Sequence, residues 1–233
     1  MKDLSNYLDT HRVEIERDLR QTMLNFVTQA DYSVVWKEYE KQVIREFIGV
    51  IKALQMATQI DFVEGEEGCD KNRVADLLVQ SHDERVLISI KACRGNKNSA
   101  NDLGTIRQYP EKKAQYSACY DIWVKYDDSK RPIQVQGIYF DRSFRFVGRM
   151  SAAYGAGVSY RKKDGNMRPK GWDMFDAGTC YWNTLEEFEA GIALSKSFRA
   201  NSIVCEHLEN MTEADKLILF RKLKKCFCPA CPT

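Results

Sequence analysis

Apolar positions recur at helical spacing in two stretches near the start of the chain. Over residues 11–29 they are Val13, Leu19, Met23, Phe26 and Val27, set among alternating charges. Over 33–57 they are Trp36, Tyr39, Val43, Phe47, Val50 and Leu54, which fall in one narrow stripe at 100° per residue. The period then changes. Short runs rich in β-branched and aromatic residues at 60–63, 73–80, 85–92, 120–126 and 133–140 predict strands, and a helix is predicted between them over 105–117. Thr184-Leu185-Glu186-Glu187 is a capping box that opens a helix to about residue 200. Thr212 and Asp215 open a second helix, running to Lys225 and basic at its end, as the helix dipole favours. Helix, strands, helix, strands, helix predicts an α/β fold, a mixed sheet flanked by helices.

The 233 residues are 44% hydrophobic and 29% charged, as expected of a soluble globular protein with a real core. One domain is expected over 1–203, with the helix 11–29, a core over 33–140, a basic region over 142–172 and the helix 184–200. The remainder, 204–233, is expected to form a C-terminal helix and a Cys-rich tail. No apolar run approaches the ~20 residues of a membrane span. The polar start reads as no signal peptide, so a cytoplasmic location is expected.

Net charge is only +2, but its distribution is uneven. Residues 61–70 hold five acids and no base. Residues 142–172 hold eight bases, Arg142, Arg145, Arg149, Arg161, Lys162, Lys163, Arg168 and Lys170, against the single acid Asp164. Such a stretch is the footprint of a phosphate-binding surface or, equally, an ordinary solvated loop. Its five glycines read as loop more than regular structure. The eight cysteines read as thiols or metal ligands more than disulfides. Cys226, Cys228 and Cys231 fit either zinc, with Cys205 or His207 as a distant fourth ligand, or an exposed thiol tail.

Two charges stand out within the apolar runs. Asp76 precedes Leu77-Leu78-Val79, and Lys91 follows Val86-Leu87-Ile88-Ser89-Ile90, with Ser81-His82-Asp83-Glu84 as the turn between. A charge in a buried strand is costly unless it is paired or binds a metal. The two are therefore a candidate site or a structural ion pair. Because side chains alternate faces, Ser89 and Lys91 share one face. A carboxylate with a nearby lysine suits Mg²⁺-assisted phosphodiester cleavage: the acid binds the hard cation, and the base stabilises charge on the phosphate.

Asp76, the turn and Ser89-Ile90-Lys91 resemble the PD-(D/E)xK motif of restriction-endonuclease-like nucleases, and EcoRV-type restriction enzymes most nearly. The similarity extends over about residues 36–126 and includes the Asn96-Lys97-Asn98 loop and Leu103-Gly104-Thr105. The resemblance implies a restriction-endonuclease-like mixed β-sheet core and type II, Mg²⁺-dependent cleavage of double-stranded DNA. It implies Asp76 as metal ligand and Lys91 as catalytic lysine. A further acid comes from the helix at 36–56, Glu40 or secondarily Glu46. Ser89 stands where the motif has its second acid, with Asp102 or Glu111 as available substitutes, and Ala75 replaces the proline. Two other functions fit the same residues: a nuclease of this fold without sequence preference, and a DNA-binding protein that does not cut.

Phosphate contacts position a protein on DNA and base-edge contacts specify sequence. Arg94, Asn96, Lys97 and Asn98 directly follow the Lys91 strand and are expected beside the scissile region. Arg149, Arg161, Lys162, Lys163, Arg168 and Lys170 supply further contacts. Two-fold symmetric sites favour symmetric enzymes, so a homodimer is expected.

Overall fold

The computed structural model describes residues 4–28, 35–53, 60–64, 76–95, 103–106, 109, 116–129, 131–151 and 156–219. Two helices come first, α1 (Leu4–Thr10) and α2 (Arg12–Met23). They bury Leu4, Leu8, Ile15, Leu19 and Met23 along one side, whereas Val13 is 68% exposed. The helix expected to reach residue 29 therefore ends at Met23. Beyond it, Val27–Thr28 (β1) pair with the sheet instead, because β-branched residues fit an extended edge better than a helix end. Helix α3 (Val35–Ala53) buries Val35, Tyr39, Val43, Ile44, Phe47, Val50 and Ile51, close to the expected stripe. Trp36 departs from that stripe, at 43% exposed in the first turn.

Five more strands complete the sheet: β2 (Asp61–Glu64), β3 (Leu77–Gln80), β4 (Arg85–Arg94), β5 (Ala118–Asp127) and β6 (Ile133–Arg142). The sheet order is β1-β6-β5-β4-β3-β2. Only β4 and β5 run parallel, and all other neighbours are antiparallel. One face carries Leu77, Val79, Val86, Ile88, Ile90, Tyr120, Ile122, Val124 and Phe140, which pack with α2 and α3 into the main core. Tyr39 stacks on Tyr126 at 5.4 Å and Phe47 lies 5.6 Å from Phe140, so α3 runs antiparallel to β5.

The chain beyond β6 covers the opposite face. A 3₁₀ turn (Ser143–Phe146) and helix α4 (Trp172–Asp176) close an aromatic cluster of Trp123, Tyr139, Phe146 and Phe175 with Cys93. Between them the chain is not the irregular loop its glycines suggest. Val147 bridges Pro169, Arg149 bridges Val158 and Tyr160 bridges Met167. Each ladder is a single bridge long, too short for an alternating pattern to show in the sequence. This small meander packs on the long helix α5 (Leu185–Glu209) through Val158, Phe188 and Ile192. The capping box at the head of α5 is present: Glu187 N–H donates to Thr184 Oγ1 at 3.2 Å and Asn183 N–H to Glu187 Oε2 at 2.8 Å. The helix runs on to Glu209, past the expected stop near 200 and across the boundary drawn at 203. A further helical turn over 213–219 begins at Thr212, whose hydroxyl accepts the Asp215 N–H at 3.2 Å.

Candidate active site

Strands β3 and β4 pair antiparallel, with Leu77 opposite Ile88. Asp76 sits just before this pairing begins, its N–H donating to the Ile88 carbonyl at 3.2 Å beside Ser89. Val86, Ile88 and Ile90 point into the core, so Ser89 and Lys91 point to the other face, half-buried. Asp76, also half-buried, turns its carboxylate toward β4, where Oδ2 accepts the Ile90 backbone N–H at 2.5 Å. The structure thus gathers Asp76, Ser89 and Lys91 on one face, at the end of the sheet where β3 begins.

Glu40 is placed differently. It is half-buried on helix α3, which packs on the core face of the sheet. It does lie toward the same end, since its neighbour Tyr39 stacks on Tyr126, the register partner of Arg94. Glu46 is half-buried on the same helix and accepts the Gln42 side-chain N–H at 2.6 Å. Asp102, Glu111, Asn96, Lys97, Asn98, Cys226, Cys228 and Cys231 lie outside the described residues. Among the described residues no group of three His, Cys, Asp or Glu side chains is placed to hold a metal ion. The donors at the sheet end are nonetheless all oxygens, a carboxylate and a hydroxyl. That set fits Mg²⁺, which is held by one or two carboxylates with waters and phosphate oxygens around it.

One acid on this face was not singled out from sequence. Asp121, on β5, is the register partner of Ser89 and is 3% exposed. Its signal was available, because it too is a lone charge in an apolar strand, Cys119-Tyr120-Asp121-Ile122-Trp123. Asp141 comes next on β6, opposite Asp121, where Oδ2 takes Arg12 at 2.9 Å and Arg145 at 2.8 Å.

The basic residues fall into three groups. Lys162 and Lys163 are exposed at the tip of a turn closed by Arg161 and Asn166, with Gly165 at φ +76°. Arg94, Arg149 and Arg161 are surface residues with local partners. Arg94 pairs with Asp128 at 2.6 Å, Arg149 lies over the Trp182 ring, and Arg161 grips Asp164 with Nε at 2.8 and 3.0 Å. Arg168 is half-buried. Lys170 corrects the expectation of a phosphate contact: it is 5% exposed, its amine donates to the Thr179 carbonyl, and it lies over Phe146 and Phe175 at 5.2 and 5.0 Å. Burial pulls its pKa down to about 8. The free thiols Cys93, Cys119 and Cys180 agree with a chain that does not rely on disulfides there.

The basic turn pairs with a segment that follows β4 in the sequence, Leu103–Ile106. There Leu103 N–H bonds the Met167 carbonyl at 3.3 Å, Met167 N–H the Gly104 carbonyl at 2.8 Å, and Ile106 N–H the Gly165 carbonyl at 3.0 Å.

This helix-flanked mixed sheet is a restriction-endonuclease-like fold. A solved structure of similar fold is the NlaIV restriction endonuclease, at TM-score 0.50 and 13% identity over 86% of this chain and 84% of that one. No protein-family model and no curated protein sequence matches the chain. No helix among the described residues is long and apolar enough to cross a membrane.

Proposed function

We propose that the chain is a Mg²⁺-dependent, sequence-specific endonuclease of type II restriction kind, acting as a homodimer on double-stranded DNA. The observation that carries this reading is Asp76 hydrogen-bonded to the strand that carries Ser89 and Lys91, at the end of a restriction-endonuclease-like sheet. The PD-(D/E)xK pattern in the sequence supports the same assignment.

Asp76 and Ser89 would hold the cation. When bound, Mg²⁺ supplies charge neutralisation at a phosphoryl oxygen and makes water more acidic. The Ile90 N–H holds the Asp76 carboxylate toward β4 for that role. Lys91 stays on the strand face beside it and offsets negative charge that develops on the phosphate as the bond to water forms. Lys162 and Lys163 meet the DNA backbone from the exposed turn that is bonded to 103–106.

Digestion of a DNA of known sequence tests the proposal. Discrete bands that need Mg²⁺ are expected. A smear identifies a nuclease without sequence preference, and no cutting with Mg²⁺ or Mn²⁺ overturns the enzymatic reading. Light scattering with and without cognate DNA tests the dimer, and a monomer in both conditions overturns it.

A further inference from the structure

The geometry points to Asp121 as the second carboxylate of the metal site, facing Asp76 across Ser89. This rests on the metal-dependent reading above and names a ligand for it. Parallel pairing makes Asp121 the partner of Ser89 and Trp123 the partner of Lys91, so all four side chains leave the same face. Ser89 and Asp121 are thus neighbours in register, and Asp76 comes to Ser89 from the other side, its carboxylate on the Ile90 N–H.

The spacing suits a shared cation. The Asp76 carboxylate already leans to β4, with Oδ2 2.5 Å from the Ile90 nitrogen. That N–H faces β3, and β5 lies about 4.8 Å beyond β4. Bonds of about 2.0–2.1 Å to Mg²⁺ join carboxylate oxygens that lie within about 4 Å of each other, so Asp121 would reach back over Ser89 to share the ion. Ser89, lying between them, is small enough to leave the space open and adds a hydroxyl of its own. A longer acid at position 89 would fill that space, so a serine there and an aspartate on the next strand are two ways of supplying one carboxylate.

The setting of Asp121 agrees. A carboxylate is buried at high cost unless it is hydrogen-bonded, paired or bound to metal. Ser143 Oγ donates to Oδ1 at 2.7 Å and holds the group under the 3₁₀ turn. The next acid in the row, Asp141, is committed to Arg12 and Arg145. Glu40 sits in the helix layer on the other face.

Mn²⁺, titrated into the metal-free full chain and followed by electron paramagnetic resonance, tests the assignment without reference to cleavage. Asp121→Asn is expected to weaken Mn²⁺ binding at least about tenfold, and adding Ser89→Asp to that variant to restore it to within about threefold, since affinity follows the count of charged ligands. Wild-type affinity in Asp121→Asn overturns the inference, as does a folded double variant that stays weak, or a loss in Glu40→Gln that Asp121→Asn lacks. If Asp121→Asn does not fold by circular dichroism, Ser89→Asp alone is the test: binding within about threefold of wild type supports the inference, because that place already has its carboxylate, and binding at least about tenfold tighter overturns it. Wild-type protein that binds no Mn²⁺ removes the metal-dependent reading itself. Binding abolished by Asp76→Asn but untouched by Asp121→Asn removes only the role of Asp121.

Discussion

Asp76 Oδ2 accepts the Ile90 backbone N–H at 2.5 Å, so the acid of the candidate site is fastened to the strand that carries Ser89 and Lys91. Its charge and its hydrogen bond are separable. Asp76→Asn keeps an acceptor for Ile90 and should stay close to wild-type stability. Asp76→Ala leaves that N–H without its partner and should cost about 1–3 kcal/mol in urea unfolding. Both variants should abolish cleavage of a plasmid substrate. Cleavage by either at the wild-type rate contradicts the assignment.

Lys91→Ala should lower the cleavage rate by about 10²–10³, the scale of losing one charge-stabilising donor in a transition state. DNA affinity, measured by fluorescence anisotropy with Ca²⁺ in place of Mg²⁺, should change little. A parallel loss of affinity would make Lys91 a phosphate contact only.

Lys162 and Lys163 stand exposed at the turn tip. Replacing either by Ala should weaken binding alike across DNA sequences and lower the slope of log affinity against log salt by about one. An unchanged slope for both places the DNA elsewhere.

Lys170 predicts a pH dependence of stability. Its amine has a pKa of about 8 in the folded chain against an ordinary 10.5, because burial disfavours the charged form. Below pH 8 both states are protonated and the penalty is full. Between 8 and 10.5 the unfolded chain holds the extra proton, so stability rises with pH, by roughly 3 kcal/mol in all. The difference in unfolding free energy between wild type and Lys170→Met should grow in favour of wild type from pH 7.5 to 10. A constant difference contradicts the buried-amine account.

The sheet and its helices were legible because their periodicities are long. Ten residues of β4 and nineteen of α3 carry enough alternation or stripe to be read directly. Asp76 and Lys91 were legible for the same reason, as charges that break an apolar pattern. Asp121 breaks its strand in the same way, but its importance comes from pairing with Ser89 across a parallel crossover, which local pattern does not reveal. The basic region was misread because its bridges are single and its core is shared with distant elements. Lys170 counts as a surface charge in sequence and is interior in space, since Phe146 and Phe175 come from either side of it along the chain.

The bonds from Leu103–Ile106 to Gly165 and Met167 bear on how such an enzyme could be re-targeted. The basic turn is not a detachable reading head. One of its edges is laid down by the chain that has just left the cutting strand, so grafting a foreign turn between 160 and 170 would leave that edge without its mate. A workable exchange has to carry both segments together, and enzymes that diverge in target would have to change the two as one unit.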